Sequence, residues 1–432
     1  MTTSSGGLRR ALAHRGIRAA LTVYSAALAT ARFVGRRPRA ADERGCDILL
    51  TGMFQSSSWV EHHLRPLAAA ASCRTVTLVA TSSIPPIAKV TVVQPPRWLV
   101  RVAGSAGARL LVFASLALRR RPHIVGGFHL LFNGLAAAIV APLAGARSLY
   151  FCVGGPAEVL DGGINAENQL FNKLETADAA IERQLVRATA AFDIIITMGT
   201  GAAAFLRERC ARGAIHVIPG GLDASAYQPS ALPPVTDVMF VGRLAPIKRP
   251  ALLLESIRLA ANRLPRIRVT IVGDGVLREE LEEMSQRLGL GANVEFAGRR
   301  SDVADLLPRA RLFILTSESE GVALSLMEAL ACGVPSIAPR VGDLGDVLID
   351  GVNGFLIDDH RPEAFAAKIV QLLTDEPARL RFAAEARRSS RAYTVAAMTD
   401  RWDEILRTET IPQPVERRRA VAVREPEVTE KI

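Results

Sequence analysis

Two glutamates lie eight residues apart within Ser317–Gly333, which reads S-E-S-E-G-V-A-L-S-L-M-E-A-L-A-C-G. The segment follows a short apolar run of strand length, and its second half is a helix-forming run that ends at a glycine. This order predicts a strand, a tight turn and a helix whose N-terminus directs backbone N–H groups above the sheet. Glu320 falls in the turn, and Glu328 falls in the helix among Leu and Met side chains. Because carboxylates are rarely buried without a partner, the pattern indicates a ligand.

Two cations follow the end of another predicted strand. The run D-V-M-F-V continues as G-R-L-A-P-I-K-R, in which Gly242 lets the backbone turn close to a ligand. Arg243 and Lys248 fall on the loop that leads to the next helix, and Lys248 is one of only five lysines in the chain. An arginine fork and a compact lysine charge together suit a diphosphate. Taken alone, the pair is equally compatible with two solvated loop residues.

A glycine turn ends the next predicted strand. The sequence V-G-D-G-V-L-R-E-E-L contains Gly273 and Gly275 but lacks the third glycine of a dinucleotide-binding fingerprint. It predicts a tight turn with Asp274 facing the cleft, and a purely structural turn is the alternative. Because the strands of a parallel sheet end at the same edge, the cations, this turn and the Glu320 segment would meet there. Together they indicate a nucleotide-diphosphate compound as the ligand.

Short apolar runs alternate with helical segments in two separate stretches of the chain. Such alternation predicts parallel βαβ units, which bind ligands beyond the carboxyl ends of their strands. The fold class expected is therefore α/β, with two doubly wound Rossmann-like sheets. The predicted strands are 46–51, 75–80, 123–128, 147–153, 193–198 and 215–218 in the first series, and 237–241, 268–272, 293–297, 311–315, 335–338 and 355–357 in the second.

These patterns divide the 432 residues into domains and terminal segments. Residues 1–44 form a basic extension, residues 45–225 a first Rossmann-like domain and residues 237–390 a second one, with a Pro-rich linker between them. A last helix, 393–408, lies beyond the second sheet and is expected to pack back on the first domain. Residues 411–432 are Pro-rich, charged and aperiodic, which predicts disorder.

The net charge of +10 is concentrated in residues 1–44, which contain nine arginines and two acidic residues. This excess is compatible with an anionic membrane surface, a polyanion or a solvated tail. No run of about eighteen uncharged apolar residues occurs, so a membrane-spanning helix is not expected. Residues 19–31 follow four arginines and predict an accessory or interfacial helix, with a signal peptide as the alternative. Residues 110–118 predict an ordinary helix that covers the sheet.

The cysteines show no C-x-x-C spacing and lie mostly in apolar runs, at positions 46, 73, 152, 210 and 332. They predict buried thiols in a reducing compartment, without disulfides or a zinc site. We therefore expect a cytoplasmic protein, with a peripheral position at the inner face of the membrane as a further option.

In the order and spacing of its motifs, the sequence resembles the retaining GT-B glycosyltransferases of glycosyltransferase family 4. The resemblance covers roughly residues 46–408 and is strongest over residues 237–375. The motifs that carry it are G-R-L-x-x-x-K, G-D-G-x-L-R-E-E-L, the E-x7-E pair with E-A-L-A-C-G-V-P, and G-V-N-G-F-L-I. It implies the GT-B fold, in which two Rossmann-like domains face a cleft.

The resemblance also implies roles for residues of the second domain. Arg243 and Lys248 would neutralise the donor diphosphate as it leaves, which is an electrostatic role. Glu320 would bind hydroxyls of the donor sugar, and Glu328 would bind the ribose of the nucleotide. The other donor-binding candidates are Gly242, Asp274, Gly321, the N–H groups of Val322, Ala323 and Leu324, and, beside the base in segment 297–300, Gly298 and Arg299.

The first domain matches the family less closely. Its first strand is followed by T-G-M-F-Q-S-S-S rather than a glycine-rich loop, and G-G-P-A-E stands where many relatives have a histidine. The acceptor-side candidates are therefore Gly154, Gly155 and Glu158, together with His129 on the preceding strand end. The alternative is that this chain works without that imidazole.

The resemblance implies a metal-independent, hexosyltransferase-type enzyme (EC 2.4). It would move a sugar from a nucleotide-diphosphate donor to a glycan or lipid-linked acceptor, in surface polysaccharide or glycolipid synthesis. The partners expected are the nucleotide sugar, the acceptor and a peripheral membrane surface, with no cofactor, metal or nucleic acid. No Asp-x-Asp occurs in the sequence, in agreement with metal independence. A nucleotide-sugar epimerase or hydrolase and a non-catalytic sugar- or membrane-binding module remain as alternatives.

Overall fold

A computed structural model of the chain describes residues 3–54, 57–164, 171, 174, 176–209 and 213–410. The strands form two parallel sheets, one of seven and one of six strands. The structure thereby confirms the predicted α/β architecture of two Rossmann-like domains. The segment 411–432, for which the sequence predicts disorder, lies outside the described residues, as does Cys210.

The first sheet has a topological switch point at its centre. Its strands are β1 Cys46–Thr51, β2 Cys73–Val79, β3 Val90–Val93, β4 Ile124–Phe128, β5 Arg147–Cys152, β6 Ile194–Thr197 and β7 Ala214–Val217. They are arranged in the order β3-β2-β1-β4-β5-β6-β7. The chain builds outward from β1 in one direction and then returns to add β4 on its other side. Crevices at such points lie beyond the carboxyl ends of the strands, which is where parallel sheets bind ligands.

The second sheet repeats this plan. Its strands are β8 Thr236–Val241, β9 Val269–Val272, β10 Val294–Gly298, β11 Ala310–Ile314, β12 Ser336–Pro339 and β13 Gly354–Ile357. Their order is β10-β9-β8-β11-β12-β13, so the switch point lies between β8 and β11. The loop after β8 and the turn after β11 carry the predicted cations and Glu320, and the topology therefore brings them to one crevice.

Helices cover both sheets, which is why the central strands are largely apolar. The described helices are α1 Thr3–Val34, α2 Ser57–Ala69, α3 Arg97–Arg120, α4 Leu135–Ala144, α5 Ala179–Thr189, α6 Thr200–Glu208, α7 Pro250–Ala261, α8 Arg278–Arg287, α9 Val303–Leu306, α10 Leu324–Ala331, α11 Pro362–Thr374, α12 Glu376–Ser389 and α13 Val395–Thr410. Cys46, Cys73, Cys152 and Cys332 are buried free thiols.

Strand β3 is the one strand in the described residues that the sequence analysis did not predict. Its sequence, V-T-V-V, is only four residues long, and none of the four is fully buried. It pairs with β2 at the edge of the sheet and lies between two proline pairs. Because so short an edge strand has little apolar pattern, pairing with β2 rather than local sequence decides its conformation.

The last helix, α13, lies on the first domain although it follows the second in sequence. Trp402 is buried and its ring centroid lies 5.8 Å from that of Phe151 in the first sheet. The Ser72 N–H donates a hydrogen bond of 2.7 Å to the Asp403 carboxylate. The chain therefore crosses back over the cleft, which ties the second domain to the first at a second connection.

The arginine-rich N-terminus forms α1, and this helix packs on the first domain. Asp178, at the start of α5, accepts hydrogen bonds from His14 Nδ1 at 2.6 Å and from Arg18 Nε at 3.0 Å. Burial alone would raise the pKa of Asp178, but these bonds and the helix N–H groups lower it to about 2. Leu21 and Ala31 are buried as well. A solvated tail, one of the alternatives considered for residues 1–44, therefore does not describe this helix.

Two described helices are long and apolar enough, by length and composition, to cross a membrane: Ala11–Val34 within α1, and α3. The expectation of no such helix rested on uninterrupted uncharged runs, whereas these apolar stretches include an occasional arginine. Core helices of soluble proteins and N-terminal signals share this composition. Both helices contact α4 of the first domain, and α3 also contacts strands β1 and β2 of its sheet.

We expect Trp402→Ala to lower the free energy of unfolding by about 3–5 kcal/mol, because it removes a large buried ring and leaves a cavity. Chemical denaturation followed by circular dichroism measures this change. Arg401→Ala, at the exposed neighbouring position of the same helix, is the matched control and should change stability by less than about 0.5 kcal/mol. Equal effects of the two substitutions would contradict the packing described for α13.

Candidate functional site

The site in the second domain is built on backbone turns that approach one another closely. Gly273 has φ 141°, and a Cβ atom there would overlap the carbonyl oxygen of Gly242. The Gly242 N–H donates to the Val272 carbonyl at 3.0 Å, and the Gly273 N–H donates to the Gly298 carbonyl at 2.8 Å. These hydrogen bonds join the carboxyl ends of β8, β9 and β10 side by side at one edge of the sheet. Only glycine permits this approach, which explains the G-D-G turn without a phosphate-binding fingerprint.

The predicted donor-site side chains occupy the rim of this platform. Arg243, Asp274 and Arg299 are exposed at the carboxyl ends of successive strands. The Asp274 carboxylate accepts a hydrogen bond of 2.8 Å from the Gly275 N–H, so it also closes the turn. The structure thus brings these residues to one edge, as the sequence predicted, while their contacts with a ligand remain a prediction.

Lys248 and Glu320 form an ion pair across the crevice. Glu320 also accepts a hydrogen bond of 2.6 Å from Ser317 Oγ, and only a small fraction of either side chain of the ion pair is exposed. The loop that carries Lys248 is held against the turn after β11, because the Glu318 N–H donates to the Ile247 carbonyl at 2.8 Å. A cation and a carboxylate therefore lie side by side in the crevice at the switch point of the second sheet.

The N-terminus of α10 lies beside this pair. No side chain in the described residues caps this helix, whose first turn follows Gly321, Val322 and Ala323. A Cβ atom on Gly321 would lie 3.3 Å from the Val153 carbonyl of the first domain. The uncapped N–H groups and the helix dipole thus add positive potential at the point where the two domains meet.

Glu328 is buried, with 7% of its surface exposed. Burial raises its pKa, while the nearby His62 and a hydrogen bond from Tyr227 act in the opposite direction. The Tyr227 hydroxyl donates to Oε1 at 2.8 Å, and His62 Nε2 lies 3.6 Å from the same oxygen. Neither partner was predictable from the sequence, because both come from other segments and carry no motif of their own.

On the first-domain side, Glu158 is buried and organises the loops instead of facing an acceptor. It accepts hydrogen bonds from Leu130 N–H at 2.6 Å, Gly154 N–H at 2.7 Å and Tyr150 hydroxyl at 2.9 Å. His129 Nδ1 lies 3.2 Å from its Oε1. Burial would raise the pKa of Glu158, but His129 and these donors lower it overall. The expectation that Glu158 itself serves an acceptor is therefore not supported by its placement.

His129 occupies a strained backbone position at the end of β4. Its φ is 63° with ψ 146°, and Phe132 in the same loop has φ 64° with ψ −53°. Asn133 holds this loop by donating to the Phe128 carbonyl at 2.7 Å. Non-glycine residues in such conformations cost of order 1–3 kcal/mol and are concentrated at functional sites. The His129 side chain is 28% exposed. Gly155, with φ 61°, is buried in the loop after β5.

A loop of the second domain inserts two carboxylates at the N-terminus of α6 in the first domain. Asp343 accepts a hydrogen bond of 2.7 Å from the Gly201 N–H, and Asp346 accepts from the Thr200 N–H and hydroxyl, both at 2.6 Å. Burial raises the pKa of Asp343. A Cβ atom on Gly342 would overlap the Glu320 carbonyl, so this interdomain contact adjoins the candidate sugar site.

No group of three or more His, Cys, Asp or Glu side chains in the described ranges is arranged to hold a metal ion.

Comparison with solved structures identifies the fold as GT-B. The chain superposes on Anabaena HepE in complex with UDP and glucose with a TM-score of 0.65, at 20% identity over 83% of this chain and 98% of that one. It superposes on sucrose-phosphate synthase from Thermosynechococcus elongatus with a TM-score of 0.68, at 18% identity over 84% of this chain and 98% of that one. Two Rossmann-like domains that face a cleft define the GT-B class.

Residues 232–389, which span the second domain, match the model of the family Glycosyl transferases group 1. Similar curated proteins are the D-inositol 3-phosphate glycosyltransferases of Rhodococcus opacus, 36% identical over 203 residues, and of Nocardiopsis dassonvillei, 30% identical over 255 residues. The matches cover 45% of this chain and 45% of the first relative, and 54% and 59% for the second. The chain thus spans about half the length of the curated relatives it matches.

The contact of Asp343 with Gly201 joins the two domains, so we expect the domains to separate further when this contact is lost. Asp343→Ala removes the carboxylate, and Gly201→Ala places a methyl group 2.6 Å from its Oδ1. We expect either substitution to increase the radius of gyration measured by small-angle X-ray scattering. Because both act on one contact, the double variant should expand no further than each single variant.

Gly345→Ala is the matched control for this experiment. Gly345 lies in the same loop, and a Cβ atom there would meet nothing closer than 3.8 Å. It should leave the scattering unchanged. Unaltered scattering of both single variants, or additive expansion in the double variant, would show that the contact does not hold the domains together.

Proposed function

We propose that this protein is a retaining, metal-independent glycosyltransferase that transfers a sugar from a nucleotide-diphosphate donor to a glycan or lipid-linked acceptor. The observation that carries the proposal is the Lys248–Glu320 ion pair beside the uncapped N-terminus of α10. A diphosphate needs the cation and the helix N–H groups, whereas a sugar needs the carboxylate. The glycosyltransferase names of the curated relatives, and the UDP and glucose bound to HepE, agree with this class of donor.

Each part of the donor has a proposed partner. Arg243 and Lys248 bind the diphosphate, Glu320 accepts hydrogen bonds from sugar hydroxyls, and Glu328 binds the ribose. Gly242, Gly321 and the Val322–Leu324 N–H groups let the phosphates and the sugar approach the backbone. Asp274, Gly298 and Arg299 border the nucleotide at the ends of β9 and β10.

The reaction breaks the bond between the anomeric carbon and the diphosphate oxygen. A bond from the acceptor oxygen forms on the same face of the anomeric carbon, and the acceptor proton passes to the departing diphosphate. Arg243 and Lys248 stabilise the charge that develops on this leaving group, an effect that is large because the site is partly shielded from water. The two cations do the electrostatic work for which other transferases use a metal, in line with the missing Asp-x-Asp.

On the acceptor side we propose that Gly154 and Gly155 leave space for the incoming hydroxyl. His129 lies at the same edge of the first sheet and is oriented by the buried Glu158. Because Glu158 has a lowered pKa and is ionised near neutral pH, it holds the imidazole in one orientation. His129 is thus the proposed replacement for the imidazole that many relatives carry on the next strand.

For the acceptor pathway we propose surface polysaccharide or glycolipid synthesis at the cytoplasmic face of a membrane. The exposed first part of α3 supports this location. Trp98 and Val102, on the first part of α3, are 65% and 81% exposed beside the exposed Arg97 and Arg101. Exposed aromatic and aliphatic side chains flanked by arginines suit the interface of an anionic membrane.

Glu320→Ala and Lys248→Ala should each lower the rate of sugar transfer at least about 10²-fold, because each removes a charge that acts on the reacting groups. The measurement is the release of nucleotide diphosphate from a panel of nucleotide sugars with and without lipid-linked acceptors. Glu318→Ala, an exposed carboxylate in the same turn, is the matched control and should retain wild-type rates.

The same assay separates the alternatives. Wild-type-like rates for Glu320→Ala or Lys248→Ala, with folded protein, would overturn the site assignment. Release of nucleotide diphosphate without any acceptor would identify a hydrolase, and isomerised donor an epimerase. Sugar binding without turnover would identify a non-catalytic module. Proton NMR of the product decides retention, since inverted anomeric configuration contradicts the proposed mechanism.

Membrane association is tested by substitution, because deletion of residues 1–44 would also remove the buried Leu21 and the His14 contact with Asp178. We expect Trp98→Glu combined with Val102→Glu to lower binding to phosphatidylglycerol vesicles at least about tenfold, and salt to weaken wild-type binding. Val276→Glu is the control, because Val276 is 86% exposed but lies on the second domain. Equal vesicle binding by all variants would contradict the proposed surface.

A further inference from the structure

Glu328 lies in an environment that does not favour a charge. It is in α10 between apolar neighbours, with Leu326, Met327 and Leu330 all buried. A carboxylate in such a place is costly unless specific donors hold it. Its partners come from outside this helix: one hydrogen-bond donor, Tyr227, and one close imidazole, His62, each from a different part of the chain.

Tyr227 belongs to the segment that connects the two sheets. Its hydroxyl donates to Glu328 Oε1 at 2.8 Å, and its backbone is held at both ends. The Tyr227 N–H donates to the Asp223 carbonyl at 3.1 Å, and its carbonyl accepts from Arg387 Nη1 at 3.0 Å. Arg387 Nη1 also donates to the Ala331 carbonyl at 2.6 Å, at the end of α10. The tyrosine is thus fixed relative to the helix that carries Glu328.

His62 reaches the same carboxylate from the first domain. It lies on α2, is buried, and places Nε2 3.6 Å from Glu328 Oε1. Its carbonyl accepts a hydrogen bond of 2.7 Å from the Gly221 N–H, so α2 is joined to the connecting segment near Tyr227. The ring centroids of His62 and Tyr227 are 6.2 Å apart. First domain, connecting segment and second domain therefore converge on one oxygen atom.

We propose that Tyr227 and His62 are positioning residues that hold Glu328 Oε1 and present Oε2 to the ribose hydroxyls of the donor nucleotide. The inference rests on the proposed ribose-binding role of Glu328. Because His62 and Glu328 belong to different domains, recognition of the ribose is coupled to the contact between the domains. The fixed carboxylate is the element that distinguishes a ribonucleotide from a deoxyribonucleotide.

A ribose hydroxyl binds a carboxylate more strongly when the carboxylate is held in one orientation. The hydrogen bond weakens when the groups that hold the carboxylate are removed. Wild-type protein should therefore bind UDP at least about tenfold more tightly than 2′-deoxy-UDP or 3′-deoxy-UDP, as expected for a hydrogen bond to a charged group. Tyr227→Phe should lower the ratio of the UDP affinity to either deoxy-UDP affinity to within about threefold of unity. Isothermal titration calorimetry of the full chain with the three nucleotides, none of them carrying a sugar, gives the ratios directly.

Tyr393→Phe is the matched control. It also removes one partly buried tyrosine hydroxyl, which donates to the Asp346 carbonyl at 2.7 Å and does not touch Glu328. It should keep the wild-type ratio between UDP and deoxy-UDP. A merely structural role of Tyr227 would weaken all three nucleotides equally and leave the ratio unchanged, which would overturn the inference.

His62 is tested by two substitutions of similar size. His62→Gln keeps a polar N–H group near Glu328, whereas His62→Leu does not. We expect His62→Leu to lower the preference for UDP and His62→Gln to restore it. Equal ratios for these two variants would remove His62 from the assignment.

Glu328→Gln separates failure of this inference from failure of the proposed function. If Glu328→Gln loses the preference while Tyr227→Phe and His62→Leu keep it, Glu328 binds the ribose without these positioning residues. If wild-type protein binds UDP without any preference over the deoxy forms, Glu328 does not read the ribose and the proposed donor site is wrong. Thermal melting of each variant confirms that it is folded.

Discussion

The structure depends on very close approaches between loops at the carboxyl ends of the parallel strands, where an added Cβ atom would overlap a neighbouring residue. A Cβ atom on Gly273 would overlap Gly242, and one on Gly342 would overlap the Glu320 carbonyl. Across the cleft, a Cβ atom on Gly199 would overlap Asp343. Because any other residue would place a Cβ atom on these neighbours, glycine is the residue type that fits at these positions. The crevice and the contact between the domains both depend on this clearance.

A second property of the cleft is that its buried carboxylates are held by groups from other loops and helices. Glu158 collects donors from two loops of the first domain. Glu328 is held by the connecting segment and by α2, and Asp343 by the start of α6. Buried charge is tolerated only where such donors are in place. Glu328 and Asp343 therefore make the site sensitive to how the domains are placed, since moving one domain removes a partner of each.

Much of the fold was predictable from the sequence, because buried parallel strands are continuous apolar runs and helices have a different period. The edge strand β3 was not, since four residues without a buried pattern leave it to its neighbour. The place of α1 was also not predictable. Its arginines are those of a solvated tail, and only the pairing of His14 and Arg18 with Asp178 brings the helix onto the first domain.

The sequence by itself determined which residue types stand at the ends of the strands of the second domain, including Lys248, Glu320 and Glu328. The positions of these residues within a strand-turn-helix unit depend on neighbouring residues only, so a short sequence motif is enough to specify them. Only the tertiary structure decided that Glu158 is buried rather than open to an acceptor, and that Tyr227 and His62 share one oxygen of Glu328. The physical reason is that these contacts join segments up to hundreds of residues apart, and their geometry is set by the packing of the two sheets.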